Sequence, residues 1–78
     1  MIDSEALEIL LTHPMAKRRK VFAFFHRVKA APFTKGKWQT TDPTSRDIEV
    51  SIVEDLCIFH WTDHAIKTVN ITRIEKSA

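Results

Sequence analysis

Residues 47–74, "DIEVSIVEDLCIFHWTDHAIKTVNITRI", most constrain the fold, because three strand-like stretches follow one another with connections too short for anything but hairpins. "DIEVSIV" alternates with a period of two, putting Ile48, Val50 and Ile52 on one face and Glu49 and Ser51 on the other. "LCIFHW" is almost continuously apolar, as suits a central strand covered on both faces or pressed against a ligand surface. "IKTVNITRI" alternates again, with Val69 and Ile71 on one side and Thr68, Asn70 and Thr72 on the other. "EDL" and "TDHA" are the joints between these strands. Upstream, "KWQTT" runs into the turn "DPTSR", where Asp42 ahead of Pro43 favours chain reversal, and it supplies a fourth strand. The expected sheet is an antiparallel meander.

The residues before it are patterned differently. "DSEALEILLT" begins with the capping types Asp3 and Ser4, carries Glu5 where the helix dipole favours an acid, and sets Leu7 beside Leu10 and Leu11, so a short helix is expected. Pro14 fits the first turn of a second helix better than the interior of the first, which breaks the chain at His13. From Met15 to about Ala30, Val21, Phe22, Phe24, Phe25 and Val28 lie on one arc, with Arg19, Lys20, Ala23 and Arg27 opposite. Aromatics and valine also suit a strand, but the spacing is helical. "AAPF" ends this helix at Pro32, and Gly36, the one glycine, marks a turn before Trp38.

A chain of 78 residues holds one core and so one domain, residues 1–78. The expected fold class is α+β, two N-terminal helices packed on a four-stranded antiparallel sheet. Phe22 and Phe25 are expected to meet Ile48, Val50, Val69 and Ile71 across that interface.

Several chemistries are disfavoured by residue type and spacing. The four histidines, His13, His26, His60 and His64, fall on different elements, so no metal site is expected. One glycine cannot build a phosphate-cradling loop, and no glycine-flanked serine forms a nucleophile elbow. No cofactor is expected. The single Cys57 lies within an apolar run, reads as a small buried hydrophobe and suits a reducing compartment. No run approaches the roughly 20 apolar residues of a spanning helix, and "MIDSEALEILL" is acidic where a leader is basic, so a cytoplasmic protein without a membrane partner is expected.

The charge is more informative than its net value of +2. Lys17, Arg18, Arg19 and Lys20 form a block at a helix start, where the dipole disfavours cations, which points to use against phosphates or else to a solvated face. Lys35, Lys37, Arg46, Lys67 and Arg73 add cations in the strand half. His60, Trp61 and His64 put flat rings beside Lys67, and such rings stack bases as readily as they fill a core.

The order of these motifs, a charged amphipathic helix ending in "VKAAPFTKGKW", a basic residue before "DIEVSIVEDLCIFHW", then "DHAIKTVNITRI", resembles the RelE/ParE family of small toxins from prokaryotic toxin–antitoxin pairs. The resemblance runs from about Lys17 to Ile74. It implies a cytoplasmic protein whose sheet meets RNA on the ribosome, or DNA gyrase in the ParE branch, and which an antitoxin protein silences. In the RNA-cleaving branch, basic side chains hold phosphates during attack by the 2′-hydroxyl, without a metal. Arg46 and Arg73 look like the positions for this, with Lys35, Lys37 and Lys67 holding the backbone and His60 and His64 suited to proton transfer. The chain departs from the family in having no tyrosine and a helical "SEALEILL" where the family opens with a strand.

The leading expectation is therefore a toxin that blocks translation by binding or cleaving RNA, a metal-independent endoribonuclease if it is an enzyme. A noncatalytic nucleic-acid- or protein-binding module of the same fold is the alternative. An oligomer built through an exposed sheet edge is a third reading.

Overall fold

The structure, a computed structural model, describes residues 1–31 and 33–77. Two helices, α1 (Ser4–Leu11) and α2 (Met15–Ala30), precede four strands, β1 (Trp38–Thr41), β2 (Asp47–Val53), β3 (Leu56–Asp63) and β4 (Thr68–Lys76). The strands form one antiparallel sheet in the order β1-β2-β3-β4, the meander that the short connections require. The fold is α+β with N-terminal helices, as the sequence leads one to expect. The helix stop read at Pro32 lies outside the described residues. Among the described residues no helix is long and apolar enough to cross a membrane.

Helix α1 starts where Asp3 accepts the Glu5 N–H at 3.0 Å, and it buries Ala6 and Leu10 one turn apart. Just before it, Ile2 makes a single parallel bridge to Ile71: Asp3 N–H donates to Ile71 O and Ile71 N–H to Met1 O, each at 2.8 Å. This ties the first residues to the outer edge of β4.

Helix α2 buries Val21, Phe24 and Val28, with Phe25 packed at the flank. Phe22 is 41% exposed, which corrects the expectation that it anchors the core. At about 100° per residue, Phe25 lies about 40° from Val21 and Phe22 about 100°, so a stripe centred on Val21, Phe24 and Val28 turns Phe22 outward.

The sheet presents Val53, Leu56, Ile58, Val69, Ile71 and Ile74 to the helices, and together with the buried helix residues these form the main core. Ile48 and Val50 are also buried but lie on the other face, where Val50 sits in register between Trp38 and Phe59. Their expected contact with Phe22 and Phe25 is therefore corrected. The register pairs Val53 with Leu56 and Ser51 with Ile58, and these partners carry the Ser51 side of β2 toward the helices.

The pairing of β3 with β4 shifts between Phe59 and His60: Phe59 pairs with Arg73 and His60 with Ile71, leaving Thr72 as the extra residue of a bulge. Regular alternation would put Arg73 on the side of Val69 and Ile71. The bulge instead brings Ile74 into the core and sends Arg73 to the outer face, over the Phe59 ring at 5.5 Å.

Candidate nucleic-acid interface

At the end of the sheet away from the β2–β3 turn, an open cleft of about 330 Å³ is walled by residues from four segments. Lys35 comes from the chain leading into β1, Arg46 from the end of the β1–β2 turn and Glu49 from the start of β2, His60 and Trp61 from β3, and His64 from the β3–β4 turn. Gly36 sets the first wall. A Cβ there would lie 2.5 Å from the Val50 carbonyl oxygen, so only glycine allows this segment to lie flat on the β2 backbone. The approach is held by Lys37 N–H to Val50 O at 2.7 Å and Gly36 N–H to a Glu49 carboxylate oxygen at 2.6 Å.

The Asp42 carboxylate organises the β1–β2 turn that delivers Arg46. It accepts from the Thr44 hydroxyl at 2.7 Å and from the Thr44 and Arg46 N–H groups, each at 2.9 Å. These bonds, led by the Thr44 hydroxyl, hold Asp42 below its ordinary pKa. The Arg46 guanidinium lies over the Trp61 ring at 3.8 Å from its centre, with Asp42 at 3.4 Å on its rim. On the opposite wall, the Phe33 and His64 rings stack with centres 4.7 Å apart and planes 16° from parallel.

His60 forms the floor. It is 1% exposed, its Nε2 is 2.9 Å from Ser51 Oγ, and Phe24 meets it edge-on at 5.3 Å. Burial pushes His60 below its ordinary value, against the opposing pull of the Glu49 charge, so the ring is neutral at physiological pH. Burial also raises Glu49, but bonds from Gln39 and the Gly36 N–H, with Lys35 and His60 nearby, overcome it and leave the carboxylate below its ordinary range. Glu49 is thus an ionised acceptor on the wall.

Of the residues singled out in the sequence, Lys35, Arg46, His60, Trp61 and His64 meet at this cleft. Arg73 does not line it. It lies on the outer face, paired with Glu75, where it and Ile48, Phe59 and Asp42 border a second hollow. Asp42, the ion-pair partner of Arg46, thus links the two arginines along one surface. Lys67 borders an adjoining hollow together with Lys29 and His64. Lys37 is exposed beside β1.

The basic block is elsewhere. Lys17 pairs with Asp55 at 2.8 Å and Lys20 pairs with Glu54, so both fasten α2 to the β2–β3 turn, at the far end of the sheet from the cleft. Arg18 is half-buried and Arg19 lies against the Met15 sulfur. The cost at the helix start is offset by these contacts with the turn, and the block stands apart from the cleft. Cys57 is half-buried on the outer face, in register with Ile52 and Glu75.

Sequence reasoning missed Phe33 and Glu49 as parts of the site. Phe33 had one signal, an aromatic residue stranded between a helix and a strand and belonging to the periodicity of neither. Glu49 had none, since on an alternating strand it reads as a solvated position. Among the described residues no three His, Cys, Asp or Glu side chains are gathered to hold a metal ion. Comparison of the chain with protein-family models, curated proteins and solved structures finds no match.

Proposed function

We propose that the protein inhibits translation as a RelE/ParE-like toxin, holding RNA at the cleft formed by Lys35, Arg46, Trp61 and His64, and that an antitoxin protein silences it in the cytoplasm. The observation that carries this reading is the convergence of two cations, an indole and an exposed imidazole on one open cleft, from segments far apart in the chain. Lys35 and Arg46 supply charge for a phosphate, Arg46 with a planar fork suited to its oxygens. The helix-to-meander order is the one on which the family resemblance rests.

Cleavage would need a base to take the 2′-hydroxyl proton, cations to balance charge on the phosphorane-like transition state, and an acid to protonate the departing 5′-oxygen. His64 is the imidazole that a substrate can reach at the cleft, because His60 is sealed beneath Ser51 and Phe24. Arg46 supplies the charge. His60 acts by fixing the floor.

The test is purified protein added to ribosomes translating a defined mRNA, read for cleavage and for co-sedimentation. Cleavage near the ribosomal site supports the toxin as an enzyme. Neither cleavage nor binding overturns the proposal. Binding without cleavage selects the second reading, a noncatalytic nucleic-acid-binding module, which the burial of His60 favours by leaving one imidazole for two proton transfers.

A further inference from the structure

Phe33 is 79% exposed, the most open of the large apolar side chains among the described residues, although one face of its ring stacks on His64. The other four phenylalanines belong to α2 or β3, whereas Phe33 stands on a connecting segment. With one ring face on His64 and most of its surface in water, its second face is open to solvent at the rim of the cleft. Lys35, two residues on, and Arg46 border the same opening.

We propose that Phe33, backed by His64, is the stacking platform for one unpaired nucleobase, so that the cleft takes single-stranded RNA with a base on Phe33 and a neighbouring phosphate on Lys35 and Arg46. This rests on the RNA reading given above. A π-face accepts any base, and stacking works only where the base is free on at least one side, so bases inside a duplex, stacked on both faces, cannot use it. Asp47 and Glu49 also line the cleft and repel a phosphate from their part of the wall, which favours a backbone path beside Lys35 and Arg46. Glu49 is already occupied by the Gly36 N–H and the Gln39 amide.

The experiment measures fluorescence anisotropy of a labelled single-stranded RNA octamer, the same octamer carrying abasic sites, and its duplex, against wild type, F33A, F33W and R46A. Wild type is expected to prefer the intact single strand over the abasic one. F33A is expected to weaken intact-strand binding by about 5- to 150-fold, the worth of one stacked base, and F33W to restore it. F33A should bind the abasic strand as wild type does. If R46A weakens RNA binding while F33A does not, and wild type binds intact and abasic strands alike, the stacking platform is overturned and the RNA reading stands. If wild type binds none of the RNAs, both fall. The comparison of intact with abasic strand uses the wild-type protein and so does not depend on any variant folding.

Discussion

The guanidinium of Arg46 lies over the indole of Trp61, 3.8 Å from the ring centre, while one of its nitrogens meets Asp42. The ring holds the cation at the border of the cleft. Replacing Arg46 with lysine keeps the charge but loses the planar stack and the fork. Arg46→Lys should therefore weaken RNA binding, and Arg46→Ala should also lower the dependence of log affinity on log salt by about one. Affinities measured from 50 to 300 mM salt check this, and an unchanged salt slope in Arg46→Ala would remove Arg46 from the phosphate contact.

Ser51 and His60 satisfy each other inside the helix-facing layer at 2.9 Å. Ser51→Ala leaves a buried imidazole nitrogen without its partner and should cost about 1–3 kcal/mol. The double variant Ser51→Ala/His60→Phe replaces both partners by apolar groups and should recover part of that loss, which urea denaturation of the single and double variants will show.

Stability should fall as the solution is acidified, in two stages. His60 is held below its ordinary value of 6.5, so below pH 6.5 the unfolded chain takes up a proton that the folded chain resists, and stability drops until the folded pKa is passed. Glu49, Asp42 and Asp55 are all lowered in the folded state, so their contribution is present above their ordinary values, 4.5 for Glu49 and 3.8 for the two aspartates, and is lost as pH falls through their folded values. Thermal midpoints between pH 7.5 and 3 test this. His60→Gln should reduce the upper stage, to which the Met1 amine, also lowered by burial, contributes, and leave most of the lower one.

Gly36→Ala places a methyl group 2.5 Å from the Val50 carbonyl oxygen, where backbone rather than a flexible side chain must yield. Overpacking of this kind costs about 1–3 kcal/mol. Lifting the segment should also detach the Gly36 N–H from Glu49 and displace Lys35 and Phe33. Loss of stability together with loss of RNA affinity is expected, read by denaturation and anisotropy on the same sample.

Phe24 is 7% exposed and Phe22 41%, though both stand on α2. Phe24→Ala opens a cavity beneath His60 and should cost about 3–5 kcal/mol, a large part of what a domain of this size has. Phe22→Ala should cost well under half as much. Paired denaturation curves decide whether the buried stripe of α2 runs through position 24.

Much of the site was legible because its residues carry chemistry that side-chain type alone announces. Arg46, Trp61 and His64 stand out as a cation and flat rings near hairpin ends, and hairpin ends at one side of a meander are neighbours in space. Phe33 and Glu49 were not legible. The worth of Phe33 lies in a stack with His64, 31 positions away, and that of Glu49 in bonds to Gly36 and Gln39, none of which leaves a local pattern. The partners of the basic block were hidden for the same reason: the carboxylates that answer Lys17 and Lys20 lie on a turn more than 30 residues further on.

The sequence by itself determined the helices, the strands, the turns and which residues alternate together, because these follow from backbone sterics and periods of 3.6 and two. Which face of the sheet the helices cover was decided only in the tertiary structure. Alternation sorts residues into two sets without saying which set goes inside, and that choice depends on the apolar area summed across paired strands. The bulge at Thr72 belongs with it: bringing Ile74 into the core required one extra residue in β4, and that residue turned Arg73 outward to the face it shares with Arg46.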